Sequence, residues 1–250
     1  MQIYLGTVAL EINRWGSRIP SYLVSEWIPK IKTAGFAGLE LWENHVLQNQ
    51  SEAEKIKDSG FPVVVYNHYG LFTNEQEELR NKAINMINFL GAKAVKFNIG
   101  NDPALLNEYK ENVKKFASSI NATMLCECHD GTLLETNDGI ASFFEDLCPQ
   151  KFKLIVHPFG EPSVLRKKFE LFGDRIVLMH SQTQNAAGER VCLEEQAEQV
   201  QACFSVMKEY NFAGDFTIEF TSLTALPGEN INDLFANAIK DMEYVKRSLL

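Results

Sequence analysis

The sequence predicts a single (β/α)₈ TIM barrel, an α/β fold in one domain spanning residues 1–250. Three observations predict it. Eight short apolar or β-branched runs occur along the chain, each is followed by an amphipathic segment, and no composition shift or low-complexity linker divides them. Strict strand–helix alternation implies parallel strands, because a parallel connection needs a crossover of a dozen or more residues. A count of eight favours closure over an open sheet, and 250 residues suit an undivided barrel.

The predicted strands are Ile3–Thr7, Gly38–Trp42, Pro62–Asn67, Ala94–Asn98, Thr123–Cys128, Phe152–Val156, Arg175–His180 and Asp215–Phe220. Several are continuous apolar runs, as expected of strands covered on both faces. Pro29 interrupts the first helical pattern and predicts a kink or a division there. Gly91 stands where a helix ending at Leu90 needs a left-handed residue. Asp102-Pro103 reads as an N-cap with proline in the first turn, opening a helix with the stripe Leu106, Tyr109, Val113, Phe116 and Ile120. The last helix carries Ile231, Leu234, Phe235, Ala238, Ile239, Met242 and Val245 on one face.

A formal charge of −9 and a pI near 5.2 argue against a nucleic-acid partner, since phosphate binding needs a dense basic face. No basic region precedes the apolar stretch of MQIYLGTVAL, and no run approaches the roughly 20 apolar residues of a membrane span. Five cysteines without framework spacing suit reduced thiols, so the expected location is the cytoplasm, with no membrane partner. Cys126 and Cys128 flank Glu127 on a strand and read as buried, inert thiols.

Chemistry enters at the strand ends. Glu127, His157, His180 and Glu219 each close a strand-like run and precede turn-prone residues, at spacings of 30, 23 and 39 residues. Those spacings are about one strand–helix unit or longer. Neighbouring barrel strands would bring the four groups to one mouth, and two carboxylates with two imidazoles there suit a divalent metal ion. Glu127 and Glu219 lie in otherwise apolar strands, where an uncompensated carboxylate is costly to bury. All five histidines (His45, His68, His129, His157 and His180) fall at or just past predicted strand C-termini, the reactive end of such barrels.

The order and spacing of these segments resemble the xylose isomerase-like TIM barrels, the family of sugar and sugar-phosphate isomerases and epimerases that also includes endonuclease IV. GFAGLELW (Gly35–Trp42) is similar to that family's second strand, LGAKAVKFNIG (Leu90–Gly100) to its fourth, LCECHDG to its fifth and GDFTIEF to its eighth. The resemblance implies one metal held by Glu127, His157, His180 and Glu219. Where the family usually has Asp, this chain has His157, which removes one negative charge and favours Zn²⁺, Mn²⁺ or Co²⁺ over Mg²⁺. Gly160 stands where many relatives carry a substrate-contacting histidine.

The implied reaction is proton transfer next to the carbonyl of a small carbohydrate or polyol, through a metal-stabilised enediolate, with Glu127 and Glu219 as base and acid. Candidate substrate contacts are Trp42 as an apolar wall, His68 and His129 toward hydroxyls, and Arg190 toward a hydroxyl or phosphate. Gly188 and Gly228 make only a weak phosphate cradle. A dehydratase or lyase on the same scaffold, such as an inosose or dehydroshikimate dehydratase, would use the same chemistry. A barrel that binds a metabolite without catalysis is the alternative outside enzymes. A nuclease of the endonuclease IV type needs an Asp-x-His pair after the seventh strand, and residues 181–193 contain neither residue.

Overall fold

A computed structural model describes residues 1–129 and 131–249. Eight parallel strands close into a barrel: β1 Ile3–Gly6, β2 Leu39–Trp42, β3 Val63–Asn67, β4 Ala94–Phe97, β5 Thr123–Glu127, β6 Phe152–Val156, β7 Ile176–Ser181 and β10 Asp215–Ile218. Each pairs with its sequence neighbour in the barrel, and β10 closes against β1 through Ile3–Phe216, Tyr4–Thr217 and Leu5–Ile218. A short antiparallel ribbon, β8 Thr183–Gln184 with β9 Arg190–Val191, rises beyond the C-terminal end of β7.

Among the described residues, eight α-helices follow the strands: α1 Val24–Ala34, α2 Gln50–Asp58, α3 Glu77–Leu90, α4 Leu106–Ser118, α5 Asn137–Phe144, α6 Pro162–Phe172, α7 Ala197–Glu209 and α8 Ile231–Leu249. Asp102 caps a short turn leading into α4 by accepting the Ala104 N–H at 2.9 Å, and Thr136 caps α5 by accepting the Gly139 N–H at 3.1 Å. Gly91, with φ of 67°, ends α3 in the left-handed region that glycine enters at no steric cost. Of the kink or division expected at Pro29, the division does not occur: α1 runs through it. Proline removes one helical hydrogen bond and crowds the carbonyl four residues before it, and buried Val24, Trp27, Ile28 and Ile31 hold the helix to the barrel around it.

Side chains alternate across each strand, so the sequence builds two cores. Outward residues such as Leu5, Val95, Phe97, Met124, Leu154 and Phe216 pack under the helices. Inward residues Tyr4, Val65, Ala94, Leu125, Ile155 and Leu178 form a separate apolar layer inside the barrel. Each fully buried leucine- or phenylalanine-sized side chain contributes about 1.5–3 kcal/mol. No helix among the described residues is long and apolar enough to cross a membrane.

Candidate active site

The next inward position toward the C-terminal rim, two residues beyond the apolar layer, is occupied by polar groups: Asn67 on β3, Lys96 on β4, Glu127 on β5, His157 just after β6 and His180 on β7. Glu40 from β2 and Glu219, just after β10, complete the ring. One ligand atom from each of Glu127, His157, His180 and Glu219 lies within 4.8 Å of the others. Strands distant in sequence thus deliver the four groups named above to one point.

His180 is fully buried and centres the network. Its Nδ1 is 3.0 Å from Glu127 Oε1 and 3.2 Å from Glu219 Oε1, and its Nε2 is 3.0 Å from Glu40 Oε2. His157 Nε2 lies 2.9 Å from Glu127 Oε1 and 3.9 Å from a Glu219 oxygen. Asn98 Nδ2 donates to Glu127 Oε2 at 3.2 Å, and Gln182 Nε2 donates to Glu219 Oε2 at 3.2 Å while also facing His157 Nδ1.

Sequence patterning did not single out the cation in the middle of this ring. Lys96 is 1 % exposed, and its Nζ sits 3.0 Å from Glu127, 2.9 Å from Glu219 and 3.9 Å from Glu40. Burial would favour its neutral form, but Glu127 and Glu219 outweigh that and keep it an ammonium. Burial likewise would raise the Glu127 carboxyl, yet Lys96 and the bonds from His157 and His180 hold it well below the usual carboxylate range. Glu219 is lowered against burial by His180 and Lys96. For His180, burial opposes the charge, and Glu219 and Glu40, with the bond to Glu127, raise it well above the ordinary histidine range.

The donor set fits a divalent ion. By accepting from Nε2, Glu40 fixes the His180 ring and aims Nδ1 at the Glu127 and Glu219 oxygens, the carboxylate–histidine arrangement that orients a metal-binding imidazole. With two carboxylates and two imidazoles converging, the residues able to hold such an ion are Glu127, His157, His180 and Glu219.

Above the ring a cavity of about 480 Å³ opens to the rim, lined among others by Lys96, Glu127, His157, Gln182, Glu219 and Arg190. His129 is exposed at its edge. Arg190, on β9, is half-buried with its guanidinium 5.4 Å over the Phe220 ring. Trp15, Tyr69 and Phe220 supply the aromatic surface. Trp15 belongs to the β1–α1 loop, is 58 % exposed and lies 5.3 Å from the Phe220 ring. The buried Arg14 anchors that loop by donating to the Val8 and Ala9 carbonyls and to Glu229.

Two expected substrate contacts lie elsewhere. Trp42 is 2 % exposed, packed with Val8 and Phe220 beneath the rim, and does not line this cavity. His68 is fully buried on the outer face of β3, with Nδ1 2.7 Å from Glu43 and its ring stacked on Phe116. Strand-end position indicates the correct rim of the barrel. The two-residue period decides the face, and His68 follows the inward Asn67 and so points outward.

No protein-family model matches the chain, and no curated protein is similar to it in sequence. Solved structures share its fold over nearly the whole length. The probable 3-DHS dehydratase AsbF of Bacillus anthracis superposes with a TM-score of 0.71 at 15% identity, covering 98% of this chain and 99% of that one. An IolI protein with a bound zinc atom gives 0.70 at 13%, covering 99% of both chains. A D-tagatose 3-epimerase-like protein gives 0.70 at 16%, covering 100% and 97%. Proteins described as xylose isomerase-like TIM barrels and as sugar phosphate isomerase/epimerases share the fold as well. The chain therefore has the fold of xylose isomerase-like TIM barrel proteins.

Proposed function

We propose that the chain is a divalent-metal-dependent isomerase or epimerase of a small carbohydrate or polyol, moving a proton at the carbon beside a carbonyl. One observation carries this reading. Glu127 and Glu219, from strands separated by two others, meet with two imidazoles at the floor of a cavity sized for a small molecule. Lewis-acid polarisation of a carbonyl is the chemistry that a divalent ion supplies when bound there. With two nitrogen and two oxygen donors, the set favours Zn²⁺, Mn²⁺ or Co²⁺ over Mg²⁺.

The protein's own groups do the rest. One of Glu127 and Glu219 accepts the α-proton and the other returns a proton at the neighbouring carbon or the opposite face. Asn98 and Gln182 fix the outer oxygens of these carboxylates, so their inner oxygens face the cavity floor. His129 and Arg190 contact substrate hydroxyls from the rim, while Trp15 and Tyr69 cover an apolar sugar face and restrict water.

The test is elemental analysis of the purified protein, followed by a ketose and aldose panel assayed for exchange of the α-hydrogen with solvent deuterium. Exchange that requires the ion, and is abolished in a folded Glu219→Gln variant, is the expected result. Retained turnover in that variant refutes the assigned role. Exchange accompanied by loss of water identifies a dehydratase on the same scaffold. Ligand binding with neither exchange nor an ion identifies a non-catalytic barrel.

A further inference from the structure

The least expected group in the site is Lys96, because its ammonium is bound by the oxygens that a divalent ion would use. Its Nζ is 3.0 Å from Glu127 and 2.9 Å from Glu219 Oε1. Those carboxylates are also the ones His180 Nδ1 faces at 3.0 and 3.2 Å. The lysine is almost completely buried, and Glu40, its next acidic neighbour, stands 3.9 Å away.

We propose that Lys96 sets the ion affinity of this site: its ammonium competes for Glu127 and Glu219, so a divalent ion binds more weakly than the four donors alone would allow. The proposal rests on the reading that Glu127, His157, His180 and Glu219 hold the ion. Glu40, Glu127 and Glu219 bring three negative charges to the ring, and Lys96 offsets one of them in addition to what His180, in contact with all three, contributes. An arriving ion meets partly compensated oxygens and a like charge beside them, in a buried setting where screening is weak. Ligand charge count tunes the affinity of such sites. Binding therefore requires the ammonium to withdraw from at least one carboxylate or to share both. Lys96 also has a structural duty without the ion, because Glu127 and Glu219 would otherwise be buried side by side with less compensation.

The experiment uses the full chain stripped with a chelator. Zn²⁺ and Mn²⁺ are titrated calorimetrically into the wild type, Lys96→Met and Lys96→Gln, with thermal unfolding recorded with and without each ion. Both variants are expected to bind one ion at least about tenfold more tightly than the wild type, and their melting temperatures to rise more on ion addition. Equal or weaker binding in the folded variants overturns the role of Lys96 and leaves the four-donor site standing. Absence of binding in all three proteins overturns both. Where the neutral variants unfold without an ion, recovery of the native circular-dichroism spectrum on adding Zn²⁺ supports the proposal, and failure to recover it refutes the proposal.

Discussion

Asp241 offers a stability test that is independent of substrate. It sits on the inner face of α8, 2 % exposed, accepting the Leu193 N–H at 2.8 Å and the Thr221 hydroxyl at 2.6 Å. It thereby ties the last helix to the turn before α7 and to the segment just after Glu219. Burial pushes its carboxyl up from 3.8 to about 7, against the two hydrogen bonds that favour the anion. The sign follows from linkage. The folded state holds the proton more tightly than the unfolded chain, so this contribution is complete below about pH 4 and is lost as pH rises through 7. A shift of about three units at about 1.4 kcal/mol each gives an upper bound of about 4 kcal/mol of lost stability by pH 8. Asp241→Asn does not ionise, and its amide can serve both partners. Urea unfolding from pH 4 to 8.5 should show variant and wild type similar near pH 4, with the variant gaining an advantage that grows to about 2–4 kcal/mol at pH 8. A stability difference flat across that range, or a more stable wild type at pH 8, refutes the reasoning.

Three further outcomes are expected. Glu40→Gln weakens the anchor that aims His180, and calorimetry should show Zn²⁺ affinity reduced by about tenfold or more. His68→Ala strands the buried Glu43 carboxylate, and denaturant unfolding should show a loss of about 3 kcal/mol, with little change in α-hydrogen exchange per folded molecule. Trp15→Ala removes the most exposed aromatic surface at the mouth. Steady-state kinetics on a substrate identified by the exchange panel should show KM raised about threefold to tenfold, with kcat less affected.

The barrel was legible in the sequence because strand and helix alternate in clear hydrophobic blocks, and all eight strands fall within a residue or two of their expected bounds. Glu127, His157, His180 and Glu219 were legible because polar ligands closing apolar runs are conspicuous. Lys96 was hidden inside AVKF, where a lysine between apolar neighbours passes as part of a strand. The two-residue period would have exposed it, since Lys96 follows the inward Ala94 by two positions as Glu127 follows Leu125. Glu40, in GLELW, hides in the same way. Trp15 carried no periodic signal, because its place depends on a loop folded by Arg14 and Glu229. Trp42 and His68 were assigned to the mouth on their strand-end positions alone. For His68, the outward face of β3 removes it from the rim. Trp42 instead is buried in a cluster with Val8 and Phe220.

The layer of Tyr4, Val65, Ala94, Leu125, Ile155 and Leu178 has a consequence for traffic through the barrel. It is an apolar plug beneath the charged ring, so a polar solute reaches the ring at lower cost from the rim than through the barrel floor. The rim route leads past Trp15, His129 and Arg190, which line the cavity above the ring. A polar breach such as Leu125→Asn would admit water from underneath and soften every charge interaction above it. The plug insulates the chamber as much as it stabilises the fold.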